Sequence, residues 1–90
     1  MESADLKLDG NAIGGLLAEV FGAEMTTARG TCATCGAVGA VATLVVYAHA
    51  PGSVARCPAC GSVVLRVVRV ESRIWLDARG LSCLELPADS

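Results

Sequence analysis

Ninety residues with one Trp, one Tyr and one Phe make one small domain with a thin core, because so short a chain buries only a modest share of its surface. The 53% hydrophobic content is mainly Ala, Val and Leu, so a metal or an oligomer interface is expected to add the stability that packing lacks. The net charge of −2 excludes a strongly basic nucleic-acid binder, yet it is uneven: residues 1–31 carry two cations against five carboxylates (−3) and residues 53–80 five against two (+3).

The opening MESADLKLDG has no basic stretch followed by an apolar core, so no secretory leader is expected. The apolar run from Ala37 to Ala48 is short and interrupted by Gly39 and Thr43, which argues against a bilayer span. A soluble, cytoplasmic protein with no membrane partner is the expectation. In a reducing compartment five cysteines favour metal ligation over disulfides.

Residues 8–24 form the one helical region. Ile13, Leu16, Leu17, Val20 and Phe21 recur at the spacing that lines one side of a helix. Asp9 is the expected N-cap, Leu8 can staple against Ile13, and Gly22 ends the helix. Gly14 and Gly15 weaken it by roughly 1 kcal/mol each relative to Ala, so it depends on packing.

Residues 26–86 read as a β domain. Strands are expected over Thr26–Thr31, Ala40–Tyr47, Val54–Arg56, Val63–Val70, Arg73–Asp77 and Leu81–Leu86, with a turn at His49–Ser53. The tail, residues 87–90, is expected to fray. A single domain, 1–90, holds all of this.

The chemistry lies in a repeated phrase, CATCG at Cys32–Gly36 and CPACG at Cys57–Gly61. Each C-x-x-C pair offers two thiolates from one tight turn, and two pairs complete a four-sulfur site. The glycine lets the chain curl so that amides point at the sulfurs, and Pro58 stiffens the second turn. Cys32, Cys35, Cys57 and Cys60 are therefore the expected ligands of one Zn²⁺ ion. Iron is the alternative, because rubredoxin-like sites use the same turns, although rubredoxins bring an aromatic core that this chain lacks. A c-type haem needs His after the second Cys, where Gly36 and Gly61 stand. A thioredoxin-like pair appears once and opens a helix.

These ligand pairs with their glycines resemble the zinc-ribbon superfamily, in which two knuckles and a small antiparallel sheet hold one zinc. LDGNAIGGLLAEVFGAEMT, VVYAHAPGSVARCPACG and RIWLDARG further resemble a family of small bacterial zinc-ribbon-like proteins of unknown function. The resemblance implies a small, metal-stabilised, mainly-β zinc ribbon with an antiparallel sheet and one N-terminal α-helix. It implies the metal role for the four cysteines and no activity.

The remaining residues have plainer readings. Cys83, in the apolar LSCLEL, is expected to be a buried small hydrophobe, and His49 a turn residue. Trp75 alternates with Arg73 and Asp77 on one face of its strand; it is expected to cover the sheet, with Arg73 paired to Glu71 or Asp77. Arg66 and Arg69 differ in parity and fall on opposite faces.

The expected function is a non-enzymatic zinc-binding module for protein–protein interaction. Its partner is another protein or a second copy, met through the helix face (Ile13, Leu16, Leu17, Val20, Phe21) or a strand edge. The alternative is RNA or DNA binding through Arg56, Arg66, Arg69, Arg73 and Trp75.

Overall fold

A computed structural model describes residues 6–22, 24–49 and 52–86. The chain begins with β1 (Leu6–Asp9), a 3-10 turn (Gly10–Ile13) and α1 (Gly14–Phe21). Then follow β2 (Arg29–Cys32), β3 (Val38–Ala40), a second 3-10 turn (Val41–Thr43), β4 (Val45–His49) and β5 (Gly52–Arg56). Last come β6 (Val63–Val70), β7 (Arg73–Asp77) and β8 (Leu81–Glu85). The result is mainly β with one α-helix, as the sequence implies. Among the described residues no helix is long and apolar enough to cross a membrane.

The strands form two antiparallel sheets where one was expected. The larger has the order β1-β4-β5-β6-β7 and the smaller β3-β2-β8. The expected strand Ala40–Tyr47 is divided by the Val41–Thr43 turn, which sends Val41 (3% exposed) and Leu44 (9%) into the core. Gly10 makes room for this turn: a Cβ there would lie 1.7 Å from the Val41 carbonyl oxygen.

Three expectations change at the N-terminal end. Leu6–Asp9 is a strand paired to β4, which leaves Leu8 exposed rather than stapled to Ile13. Asp9 does cap a helix, but the 3-10 turn, through its Oδ1 and the Asn11 amide at 3.1 Å. Gly22 ends α1 in the left-handed region, its amide donating to the Ala18 carbonyl at 2.7 Å. The expected strand at Thr26 starts three residues later, at Arg29. Ala50 and Pro51 of the expected turn, and the tail 87–90, lie outside the described residues.

The core sits on one face of the larger sheet. Val46, Ala55, Leu65 and Val67 point to this face and meet Ile13 and Leu17 of the helical segment, with Met25 and Ala28 beside them. Arg69 belongs to the same face and pairs with Glu19 of α1 at 2.5 Å. No aromatic residue enters this core: Trp75 is 54% exposed, Phe21 37%, and Tyr47 half-buried.

Candidate metal centre

The two cysteine turns fold alike. In the first, the Gly36 amide donates to the Cys32 carbonyl and the Cys32 amide to the Ala37 carbonyl, each at 2.9 Å. In the second, Gly61 donates to Cys57 at 2.8 Å and Cys57 to Ser62 at 2.9 Å. Both closing glycines are left-handed, φ +78° at Gly36 and +81° at Gly61, a region that strains any residue with a Cβ. This is the physical reason for glycine after each pair.

Distant elements bring the turns together. β2 enters the first and β3 leaves it; β5 enters the second and β6 leaves it. The β7–β8 loop ties them. The Ala33 amide of the first turn donates to the Gly80 carbonyl at 2.8 Å. Gly80 lies so close to β6 that a Cβ would sit 2.1 Å from the Val63 carbonyl oxygen.

The four sulfurs meet. Cys32 and Cys60 are 3.7 Å apart, Cys35 and Cys57 are 3.7 Å apart, and all four Sγ atoms lie within 4.8 Å of one another. A tetrahedron with sulfurs about 2.3 Å from its centre has edges of about 3.8 Å, so the cluster fits one four-coordinate ion. Cys32 and Cys57 are buried, while Cys35 and Cys60 face outward.

The local dipoles favour thiolates unevenly. The Ser62 hydroxyl, then its amide, brings Cys60 down to about 6. The Cys35 amide, with that of Thr34, lowers Cys32. At Cys35 the Ala37 amide acts downward, but desolvation and the neighbouring thiols outweigh it and raise the group to about 11. Four thiols this close cannot all ionise without a cation among them, a charge that a bound metal ion would supply.

Residues 2–89 match the model of a family of unknown function, DUF6510. The chain belongs to this family. No curated protein and no solved structure matches it.

Beyond the cysteines, this DUF6510 protein separates the other expected site residues. Arg69 turns to the helix side, whereas β6 and β7 register sets Arg66 opposite Asp77, Val68 opposite Trp75 and Val70 opposite Arg73 on the other face. Tyr47, opposite Val54, lies on that open face too. The Arg56 guanidinium stands 5.9 Å from its ring centroid and donates to the Gly61 carbonyl at 2.8 Å. Tyr47 was not singled out from sequence; its pairing with Val54 between the two neighbouring strands was the available signal.

One expectation about Asp77 is overturned. Asp77 is taken by Arg79 at 2.8 Å rather than by Arg73, and the Arg79 side chain, then its amide, lowers the carboxyl to about 2. Trp75 lies on the open face of the sheet, opposite Val68, and is 54% exposed. Cys83 is exposed rather than buried, because it lies on an edge strand of the three-stranded sheet, opposite Thr31. His49 ends β4 instead of sitting in the turn; its side chain is outside the described residues. Of the expected helix face, Ile13 and Leu17 are core residues, Leu16 is half-buried, and Val20 and Phe21 are each 37% exposed.

Proposed function

We propose that this protein is a non-enzymatic interaction module whose architecture is clamped by one structural Zn²⁺ ion. The observation that carries the reading is the four-sulfur cluster, two of whose edges are 3.7 Å and all within 4.8 Å. Four protein sulfurs complete a tetrahedral shell and leave no open position for substrate or activated water. Zinc suits such a site because it imposes no redox chemistry; iron takes the same four sulfurs, but the rubredoxin-like alternative loses support in a chain whose core has no aromatic residue. In a cytoplasmic setting, the ion orders a chain whose own core is small and aliphatic, and the exposed surface does the binding.

Elemental analysis tests this directly. One zinc per chain is expected, in a colourless protein that loses its folded circular-dichroism signal on chelation and regains it on adding zinc. A metal-free protein with a cooperative thermal transition overturns the reading, and a coloured sample with stoichiometric iron replaces zinc by iron.

Binding to another protein or a second copy is the first function. A second reading, single-stranded RNA or DNA, draws support from one observation: Arg56, Arg66, Arg73 and Trp75 share an open sheet face with Tyr47. Bases stack on such rings at about 1–3 kcal/mol each, and arginines meet the phosphates. Titration with a labelled oligonucleotide at two salt concentrations decides it: affinity that falls steeply with salt and on Trp75→Ala supports the reading, and no binding at low salt removes it.

A further inference from the structure

We infer that β7 is the seam of a two-fold dimer of this chain, two copies pairing antiparallel about Trp75. The inference rests on the reading of the protein as an interaction module and names the partner as a second copy. Among the described residues β7 is an edge strand, hydrogen-bonded to β6 alone. It has no proline, no lysine and no irregularity in its pairing, and its two charges, Arg73 and Asp77, are of opposite sign. Trp75 at its centre is 54% exposed.

The backbone phase is set by the hairpin. Two residues, Glu71 and Ser72, separate Val70 from Arg73, which are register partners, so that pair closes the turn with mutual hydrogen bonds. Alternation then gives Arg73, Trp75 and Asp77 their bonds to β6 and directs the amides and carbonyls of Ile74 and Leu76 to the open side. A second β7 laid antiparallel about Trp75 sets Ile74 against Leu76 in both copies, and satisfies those groups in pairs.

The side chains of RIWLD complement themselves in this register. Arg73 lies opposite Asp77 of the second copy, and Asp77 opposite its Arg73. The two Trp75 residues face each other as a non-hydrogen-bonded pair, whose Cα atoms lie about 4.5 Å apart. Registers centred on Ile74 or Leu76 instead set Trp75 against Arg73 or against Asp77. Among the other edges, β8, LSCLE, sets Leu81 against Glu85, and β3 is three residues long with Gly39 at its centre; β1, LKLD, can set Lys7 against Asp9 about Leu8, but over three residues only, one of them the edge-protecting lysine. Opposite charges and aromatic pairs are the contacts that stabilise neighbouring strands, and like charges directly opposite destabilise them. A two-fold axis through one self-complementary strand gives a closed dimer, joining two five-stranded sheets into one.

A charge swap tests the seam. Wild-type, zinc-replete protein run through a dilution series on size exclusion with light scattering is expected to show twice the 9.1 kDa chain mass, with Trp75 emission shifting to the red as the dimer dissociates. Arg73→Asp alone sets Asp against Asp, Asp77→Arg alone sets Arg against Arg, and each is expected to weaken dimerisation roughly tenfold or more. Mixing the two variants restores both opposite-charge pairs, so the mixture is expected to dimerise where neither does alone, which a folding defect would not produce. A monomeric wild type, or single variants that dimerise as tightly as wild type, overturns the seam. Zinc is measured on the same fractions: one zinc per chain in a monomer sinks the seam alone, and a metal-free dimer sinks the metal reading alone.

Discussion

One face of the five-stranded sheet meets α1 and carries Val46, Ala55, Leu65 and Val67 at 0–4% exposure, whereas the other carries Trp75 at 54% and Val70 at 44%. The same β6 and β7 build both. The covered face is aliphatic, with one cation, Arg69, that reaches out to Glu19. On the open face, Arg56, Arg66 and Arg73 stand among Tyr47, Trp75 and valines. Phe, Trp and Tyr are large apolar payloads that a thin core would use first if burial were their purpose. All three stand outside this core, so the packed face is built from small aliphatics and the aromatic rings are left at the surface.

Truncating a side chain on each face should break or confirm that separation, and it carries the largest effect. Leu17→Ala removes a side chain 1% exposed beneath the covered face and is expected to cost about 2–5 kcal/mol. Val70→Ala on the open face is expected to cost under about 1 kcal/mol. Urea denaturation of the zinc-loaded proteins measures both. Equal losses would mean that the open face is also part of the packed structure.

The sequence discloses these regions unequally, for reasons visible in single residues. The cluster of Cys32, Cys35, Cys57 and Cys60 was legible because its geometry is local: each pair and its glycine form one turn, and the turns repeat. β6 and β7 were legible to the residue, since Glu71-Ser72 separates two runs of alternating β-formers. The division into two sheets was not. It depends on Val41 folding against Gly10, thirty-one positions earlier, and no local pattern reports such an approach. The parity of Arg66 and Arg69 predicted opposite faces, but which face α1 would cover came only from tertiary packing. Cys83 went astray because an apolar strand residue was assigned to a core although each strand has two faces and it lies on an exposed one.

The charge on each face offers a smaller contrast. The Arg69–Glu19 pair is about half exposed at both ends, 47% and 50%, so a double-mutant cycle with Ala at both sites is expected to give a coupling of about 0.2–1 kcal/mol. It should fade as salt is added. The same cycle between Glu19 and Arg66, on opposite faces, is expected to give none. Coupling of comparable size in both cycles would place Glu19 in a diffuse field rather than in a pair that fastens α1 to the sheet.

The smallest expected effect lies at the turn that fixes which residue faces which side. Glu71 has φ 55°, a left-handed conformation that costs a side-chain-bearing residue about 1–2 kcal/mol. Glycine relieves that strain but adds about 0.5–1 kcal/mol of unfolded-chain entropy. Glu71→Gly is therefore expected to stabilise the protein by about 0.5 kcal/mol, seen as a higher urea midpoint at constant slope. Because a one-residue slip of β7 would exchange Trp75 with Ile74 and Leu76 between the faces, the variant must also leave Trp75 emission at its wild-type wavelength. A blue shift in monomeric protein would mean that the strained turn, rather than the pairing of β6 with β7, holds Trp75 on the open side.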